Sequence, residues 1–222
     1  MPKFDYGEEK MEKKGLLISF EGGEACGKGT QIKKIKQYFE DNNIDYLITR
    51  EPGGTEVGEQ LRNLLLHSKA DMSSEVEFLI FSASRRQIVE KVIAPALAEG
   101  KVVVLDRFYD SSYAYQGYAG NIKIEDIKAI TDFAIAGYET DLTFLLDVDY
   151  DEAMRRKMSD ENLKNLDRME SKGREYHEKV RAGYLQLAKD NPQRIFVVDA
   201  LQTQDAVFEC IKNRLEEELK KM

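Results

Sequence analysis

The chain has 222 residues, a formal net charge of −8 and two cysteines. That length suits one domain with enough core to fold without staples, and the acidic balance argues against a general nucleic-acid binder, which needs a basic face. Cys26 and Cys210 form no C-x-x-C pair and read as reduced cytosolic thiols, and with only His67 and His177 the chain offers no zinc cluster.

Residues 1–14, MPKFDYGEEKMEKK, are charged and lack the apolar run of a signal peptide, so they read as a loose N-terminal arm before a single domain over 15–222. LLISFE (16–21) is a continuous apolar run of the kind that forms a strand buried on both faces. Helical spacing follows over 28–42, with Ile32, Ile35 and Phe39 on one stripe, and DYLIT (45–49) is the second strand. A helix is expected over about 74–99, opened by the capping-box pattern Ser74-x-x-Glu77. VVVLD (102–106), a helix over 124–137, LTFLLDV (142–148), IFVVD (195–199) and a helix over 206–219 complete the pattern. Strands alternating with helices predict an α/β fold: a five-stranded parallel sheet flanked by helices. No stretch approaches the roughly 18 apolar residues of a membrane span. Residues 151–180 stand apart as a charged segment around SDENLKN, either a solvated helical pair or a lid presenting arginines to a site.

The first strand runs into SFEGGEACGKGTQ (19–31). Gly22, Gly27 and Lys28 meet the phosphate-loop pattern G-x-x-x-x-G-K-[ST], but Gly29 stands where the hydroxyl belongs and Thr30 brings it one place late. The strand–loop–helix context favours a nucleotide site over a tight βα turn. The stretch Gly22, Gly23, Glu24, Ala25, Cys26, Gly27, Lys28, Gly29 and Thr30 would then cradle ATP phosphates with backbone N–H groups at a helix N-terminus. Without the usual hydroxyl, a metal falls to waters, to Thr30 or to a strand-end carboxylate.

Ligands of open α/β sheets bind outside the carboxyl ends of the strands. There lie TREPGGT (49–55) and LDRFYDSSYAYQG (105–117). Phe81 and Arg85 in FSASR share a helix face, which suits a flat base with carbonyl acceptors, although on spacing alone Phe81 is more often a core residue. FEGGEACGKGTQ, TREPGGT, FSASR, DRFYDSSYAYQG and LDRMES…YHEKVRAGYLQLA together resemble the thymidylate kinases, in the same order from about 15 to 199. The resemblance implies a P-loop NTPase-type fold with a mobile lid at about 151–170. It also implies transfer of phosphoryl from ATP to dTMP with Mg2+, in a cytoplasmic homodimer with neither nucleic acid nor membrane as partner.

It further implies roles for individual residues. Lys28 would neutralise the terminal phosphates of ATP, and Asp106, with Thr30, would help hold Mg2+; a loop-capping Asp106 is the other option. Arg107 and Arg50 would face the acceptor phosphate, where guanidinium binds bidentately, unless nearby carboxylates claim them. Pro52 would follow a cis peptide. Phe81 would stack on thymine, Arg85 would bond its O4, and Ser111, Ser112 and Gln116 would line the base or phosphate pocket. Tyr115 would crowd the sugar 2′ position and Glu24 would approach the 3′-OH. With no arginine at Ala25 or Cys26, a catalytic arginine is expected from the lid, among Arg155, Arg156 and Arg168. Tyr176, Val180, Tyr184 and Leu187 read as a core stripe. A kinase for another monophosphate such as dUMP is the near alternative, because one methyl group is worth only about 1–3 kcal/mol. A noncatalytic ATP-binding relic is the distant one. No N-K-x-D or G-x-S-x-G motif supports a switch GTPase or a serine hydrolase.

Overall fold

The computed structural model describes residues 13–159, 168–169 and 171–222; most of the expected arm and the second half of the expected lid lie outside them. Lys13 and Lys14, the last arm residues, sit on the domain: Lys13 Nζ donates to Asp141 at 2.7 Å and the Lys14 N–H to the Leu97 carbonyl at 3.1 Å.

Strands β1 (Leu16–Glu21), β2 (Tyr46–Arg50), β3 (Val102–Asp106), β4 (Leu142–Asp147) and β5 (Ile195–Asp199) form one parallel sheet in the order β2-β3-β1-β4-β5. β1 is buried along its whole length, as its unbroken apolar run dictates. Leu16, Ile18 and Phe20 face α1 (Lys28–Asp41) and α9 (Gln204–Leu219), through Ile32, Ile35, Phe39, Val207, Ile211 and Leu215. Leu17, one residue out of phase, faces the other layer. That layer contains α3 (Ser74–Ile88), α4 (Ala94–Ala98), α5 (Tyr109–Ser112), α6 (Ile124–Ile135) and α8 (Arg174–Asp190).

Several expected boundaries move. β2 lies at 46–50 rather than 45–49, because its register carries Arg50 opposite Asp106, and β4 stops at Asp147. The helix expected over 74–99 is broken: a π-helical turn, Val89–Ile93, separates α3 from α4 just before Pro95. Proline has no N–H and crowds the carbonyl four residues back, and the wider turn absorbs both effects. The cap of α3 is Ser73, whose hydroxyl accepts from the Val76 N–H, so Ser74 and Glu77 do not form a capping box. Glu77 is buried and paired elsewhere. α6 ends at Ile135 because Ala136 and Gly137 turn left-handed.

The chain goes from β1 out to β2, returns to β3 between them, then crosses to β4 on the far side of β1. The carboxyl end of β1 is therefore the topological switch point where a crevice opens. α2 (Glu56–His67) and α7 (Tyr150–Ser159) flank it. Among the described residues no helix is long and apolar enough to cross a membrane.

Candidate active site

The glycine loop leaves β1 at the switch point. Gly22 has φ 138°, and a side chain there would strike the Leu146 carbonyl oxygen, so this position requires glycine. Ala25 and Gly27, at φ 50° and 99°, complete a concave backbone that opens onto the first turn of α1. Lys28 is buried, and its Nζ donates to the Gly23 carbonyl at 3.1 Å. Gly29, by contrast, has open space around a would-be Cβ.

Beside the loop lies a cavity of about 270 Å3, outside the carboxyl ends of β1, β2 and β3. Every acceptor-side residue expected from the motifs lines it: Glu24, Arg50, Pro52, Phe81, Arg85, Arg107, Ser111, Ser112, Tyr115 and Gln116, together with Lys28 and Asp106. Thr30 and the three lid arginines do not. Phe81 is half-buried on this wall instead of sitting in the core. The Glu51–Pro52 peptide is cis.

Arg107 anchors the wall. Its backbone is left-handed, φ 67°, an uncommon state for a non-glycine residue, and its N–H donates to the Phe20 carbonyl at 3.0 Å. The guanidinium donates to Glu24 at 2.7 Å, to the Gly22 carbonyl at 2.9 Å and to the Tyr184 hydroxyl at 3.2 Å, and it lies 5.1 Å from the Tyr115 ring centre. Tyr115 Oη donates to the same Glu24 carboxylate at 2.9 Å. Burial opposes ionisation of Glu24, but the charges of Arg107 and Lys28, the Tyr115 hydrogen bond and the charge of Lys157 outweigh it and hold the carboxyl down at about 2. Arg50 reaches the cavity from β2 and is paired with Glu59 through two contacts of 3.0 Å. Asp106 closes β3 on the cavity wall.

Several residues of the site were not expected from the sequence. Glu21 and Glu51 read as the acidic ends of a strand and of a turn, yet both are buried. Glu21 accepts from the Phe108 N–H, Ser111 Oγ and Tyr184 Oη, each at 2.7 Å, and so fixes the segment that carries Arg107. Burial, then the neighbouring Asp110, raises its pKa. Glu51 receives Arg85 Nε at 2.9 Å, and burial pushes its carboxyl up to about 7 against that guanidinium. Tyr184 packs in the core stripe as expected but also presents its hydroxyl to Arg107. Arg62 joins the wall from α2. Tyr115 and Gln116 ride on a π-helical turn, Tyr113–Ala119, a distortion common at functional sites. The one available signal was an acid closing an otherwise apolar strand.

Three buried polar atoms on this wall have no hydrogen-bond partner: Arg85 Nη1, Glu51 Oε1 and Gln116 Nε2. Buried polar groups are nearly always paired, so these three atoms leave hydrogen-bonding capacity open on the cavity wall. The lid arginines are engaged elsewhere. Arg155 and Arg156 both hold Glu152 at 2.6 Å, and Arg156 also donates to the Ala200 carbonyl at 2.6 Å. Arg168 holds Glu77 at 2.6 Å and the Leu65 carbonyl at 2.9 Å, while its neighbour Met169 touches the cavity.

A glycine loop on the switch-point strand, facing an arginine-lined cavity across one carboxylate, defines an α/β P-loop kinase fold. A sequence model of thymidylate kinase matches residues 20–211. Thymidylate kinase of Caldanaerobacter subterraneus subsp. tengcongensis is 42% identical over 93% of this chain and 98% of its own. That of Clostridium novyi is 44% identical over 91% and 98%. Among solved structures, thymidylate kinase from Ehrlichia chaffeensis superimposes with a TM-score of 0.72 at 33% identity, covering 91% of this chain and 98% of that one. The chain belongs to the thymidylate kinase family.

Proposed function

We propose that this protein transfers the γ-phosphoryl group of ATP to dTMP, giving dTDP and ADP. The observation that carries it is the convergence of the acceptor motifs of a thymidylate kinase family chain on one cavity beside the glycine loop. Phosphoryl transfer asks mainly for positioning and charge neutralisation. Lys28 and the loop N–H groups take the donor phosphates. Arg107, with Arg50, takes the acceptor phosphate; both now hold carboxylates that a phosphate can replace. Phe81 stacks on the base, and Arg85, Ser111, Ser112 and Gln116 supply its polar contacts. Tyr115 closes the space beside the sugar 2′ position, and Glu24 meets the 3′-OH.

The donor set fits Mg2+, an ion usually bound by one or two carboxylates together with phosphate oxygens and waters. Among the described residues no cluster of three or more potential ligands occurs, but Asp106 lines the cavity next to Lys28. Asp106 and Thr30 would hold the ion, which would offset phosphate charge.

A second copy of the chain would cover the adjacent helices α2, α3 and α6, where Val57, Leu64, Val76, Leu79 and Phe133 are exposed. We take the enzyme to be a cytoplasmic homodimer; sedimentation should then give twice the 25.5 kDa chain mass, and Leu79→Glu should give monomer.

The deciding experiment is ADP release from Mg-ATP with dTMP, dUMP, dCMP, UMP or no acceptor, each below saturation. Turnover should be highest with dTMP and near zero without acceptor. Preference for another monophosphate would overturn the roles of Phe81, Arg85 and Tyr115. ATP binding without acceptor-dependent turnover would leave only a relic.

A further inference from the structure

Tyr184 sits on α8, 3% exposed and outside the cavity lining, yet its hydroxyl reaches Arg107, which does line the cavity. Its ring meets the Tyr115 ring edge-on, with centres 6.2 Å apart, and the Tyr115 ring centre lies 5.1 Å from the Arg107 guanidinium. One end of the same helix is also docked on this wall, where Tyr176 Oη donates to the Tyr115 carbonyl at 3.0 Å.

The two terminal nitrogens of Arg107 face different partners. Nη2 donates to Glu24 at 2.7 Å. Nη1 donates to the Gly22 carbonyl at 2.9 Å, to Tyr184 Oη at 3.2 Å and to Ser111 Oγ at 3.4 Å. A phosphate that displaces Glu24 takes over the Nη2 side, and the Nη1 contacts are left to fix the guanidinium plane. The two hydroxyls are themselves held. Tyr184 Oη and Ser111 Oγ each donate to the same oxygen of the fully buried Glu21, at 2.7 Å, and stand 2.8 Å from each other. A hydroxyl has one proton and two lone pairs. With both protons given to Glu21, both oxygens turn lone pairs toward Arg107. Burial, then the charge of Glu21, raises the Tyr184 pKa well above its ordinary value, so the phenol keeps that proton. A long side chain held in this way has already lost its rotamer freedom before a ligand arrives.

We propose, resting on the acceptor-phosphate role given to Arg107 above, that Tyr184 is a positioning residue for the acceptor. Its hydroxyl holds Arg107 Nη1 so that the other side of the guanidinium stays aimed into the cavity when the phosphate of the monophosphate replaces Glu24. No bond forms or breaks at Tyr184. Its effect falls on the phosphate of the acceptor and leaves the base, the sugar and ATP untouched.

The test is calorimetric binding of dTMP, and of thymidine, which lacks the phosphate. It uses wild type, Tyr184→Phe, Arg107→Ala and the double variant, with steady-state kinetics beside it. Tyr184→Phe keeps the ring and should weaken dTMP about 5- to 20-fold, while thymidine binds within about twofold of wild type. KM for dTMP should rise by a similar factor, with KM for ATP within about twofold. In the Arg107→Ala background the same substitution should change dTMP binding by less than about twofold, because its effect passes through Arg107. Thymidine binding reports the folded protein, so the comparison holds even if Tyr184→Phe melts early. Equal losses of dTMP and thymidine affinity would reduce Tyr184 to packing and overturn the proposal. Unchanged dTMP affinity, or additive losses in the double variant, would overturn it as well. A wild type that binds dTMP no more tightly than thymidine overturns the acceptor-phosphate role of Arg107, and that of Tyr184 with it. A wild type that prefers dTMP but shows no dTMP-dependent turnover overturns the kinase activity alone.

Discussion

Arg50, Arg85 and Arg107 line the cavity beside the glycine loop, whereas Arg155, Arg156 and Arg168, equally suggestive in the sequence, lie outside its lining. The difference is in what fixes each side chain. Arg107 follows a central strand, in a left-handed residue hydrogen-bonded back to β1, and Arg85 is locked to the buried Glu51. Backbone position leaves these side chains little choice. Arg155 and Arg156 sit three and four residues after Glu152 on the same helix, and that carboxylate takes both. Charges on a helix are claimed by their own neighbours first. A motif tied to a strand end or to a buried partner therefore predicts direction, and a charge run on an exposed helix does not.

The largest effect should come from the cavity side. Arg107→Ala removes the guanidinium proposed to take the acceptor phosphate and breaks its ion pair with Glu24. It should lower kcat/KM for dTMP by on the order of 10²- to 10³-fold in steady-state assays. Arg155→Ala, on the exposed side of α7, should stay within about threefold of wild type. Equal losses in the two variants would erase the contrast between the regions.

Arg168 sharpens the contrast by separating docking from chemistry. Together with Lys172 it holds Glu77, which is 1% exposed on α3, and it also caps the Leu65 carbonyl of α2. These contacts tie the segment before α8 to the outer wall of the cavity. Arg168→Ala should cost about 1–3 kcal/mol of stability in denaturant unfolding, the range for hydrogen bonds to charged groups. Its kcat should fall much less than that of Arg107→Ala. A kcat loss as large as that of Arg107→Ala, with stability unchanged, would place Arg168 in the chemistry.

Glu51 gives a smaller, pH-dependent effect. Its folded pKa of about 7 lies above the ordinary carboxylate value of 4.5. Between those values the native state binds more protons at this site than the unfolded chain, so stability from Glu51 is full at the acid end and is lost as pH rises. Glu51→Gln stays neutral throughout. Its melting temperature relative to wild type should therefore climb between about pH 5 and about pH 7.5. A constant offset would mean that Arg85 keeps Glu51 ionised across the range.

Much of this was legible beforehand, for physical reasons that differ by element. The apolar runs 16–21 and 102–106 became strands with the expected limits, because strands buried on both faces read as near-continuous apolar runs, and 195–199 did so as an edge strand with Val197 exposed. That the residues of the sequence motifs would meet at one cavity was legible because the motifs pin backbone as well as side chain. Glu21 and Glu51 were not, since a carboxylate buried by tertiary contacts looks in sequence like any exposed one. The π-helical turns at Val89–Ile93 and Tyr113–Ala119 were missed because both carry ordinary helical spacing.

The smallest effect bears on the residue that breaks the phosphate-loop pattern. Gly29 lies in the first turn of α1, with nothing within 4 Å of a would-be Cβ and no left-handed φ. Space and conformation therefore do not require glycine here, unlike Gly22, where a side chain would strike the Leu146 carbonyl. Gly29→Ser should fold at least as well, since replacing glycine inside a helix recovers up to about 0.5–1 kcal/mol of backbone entropy. If a hydroxyl at this point can reach the ion, the Mg2+ concentration for half-maximal turnover should fall by about twofold to fivefold, with KM for dTMP unchanged. An unchanged Mg2+ requirement would leave the ion to Asp106 and Thr30. The missing hydroxyl would then be a difference in how the donor side is built and would have no effect on the acceptor wall.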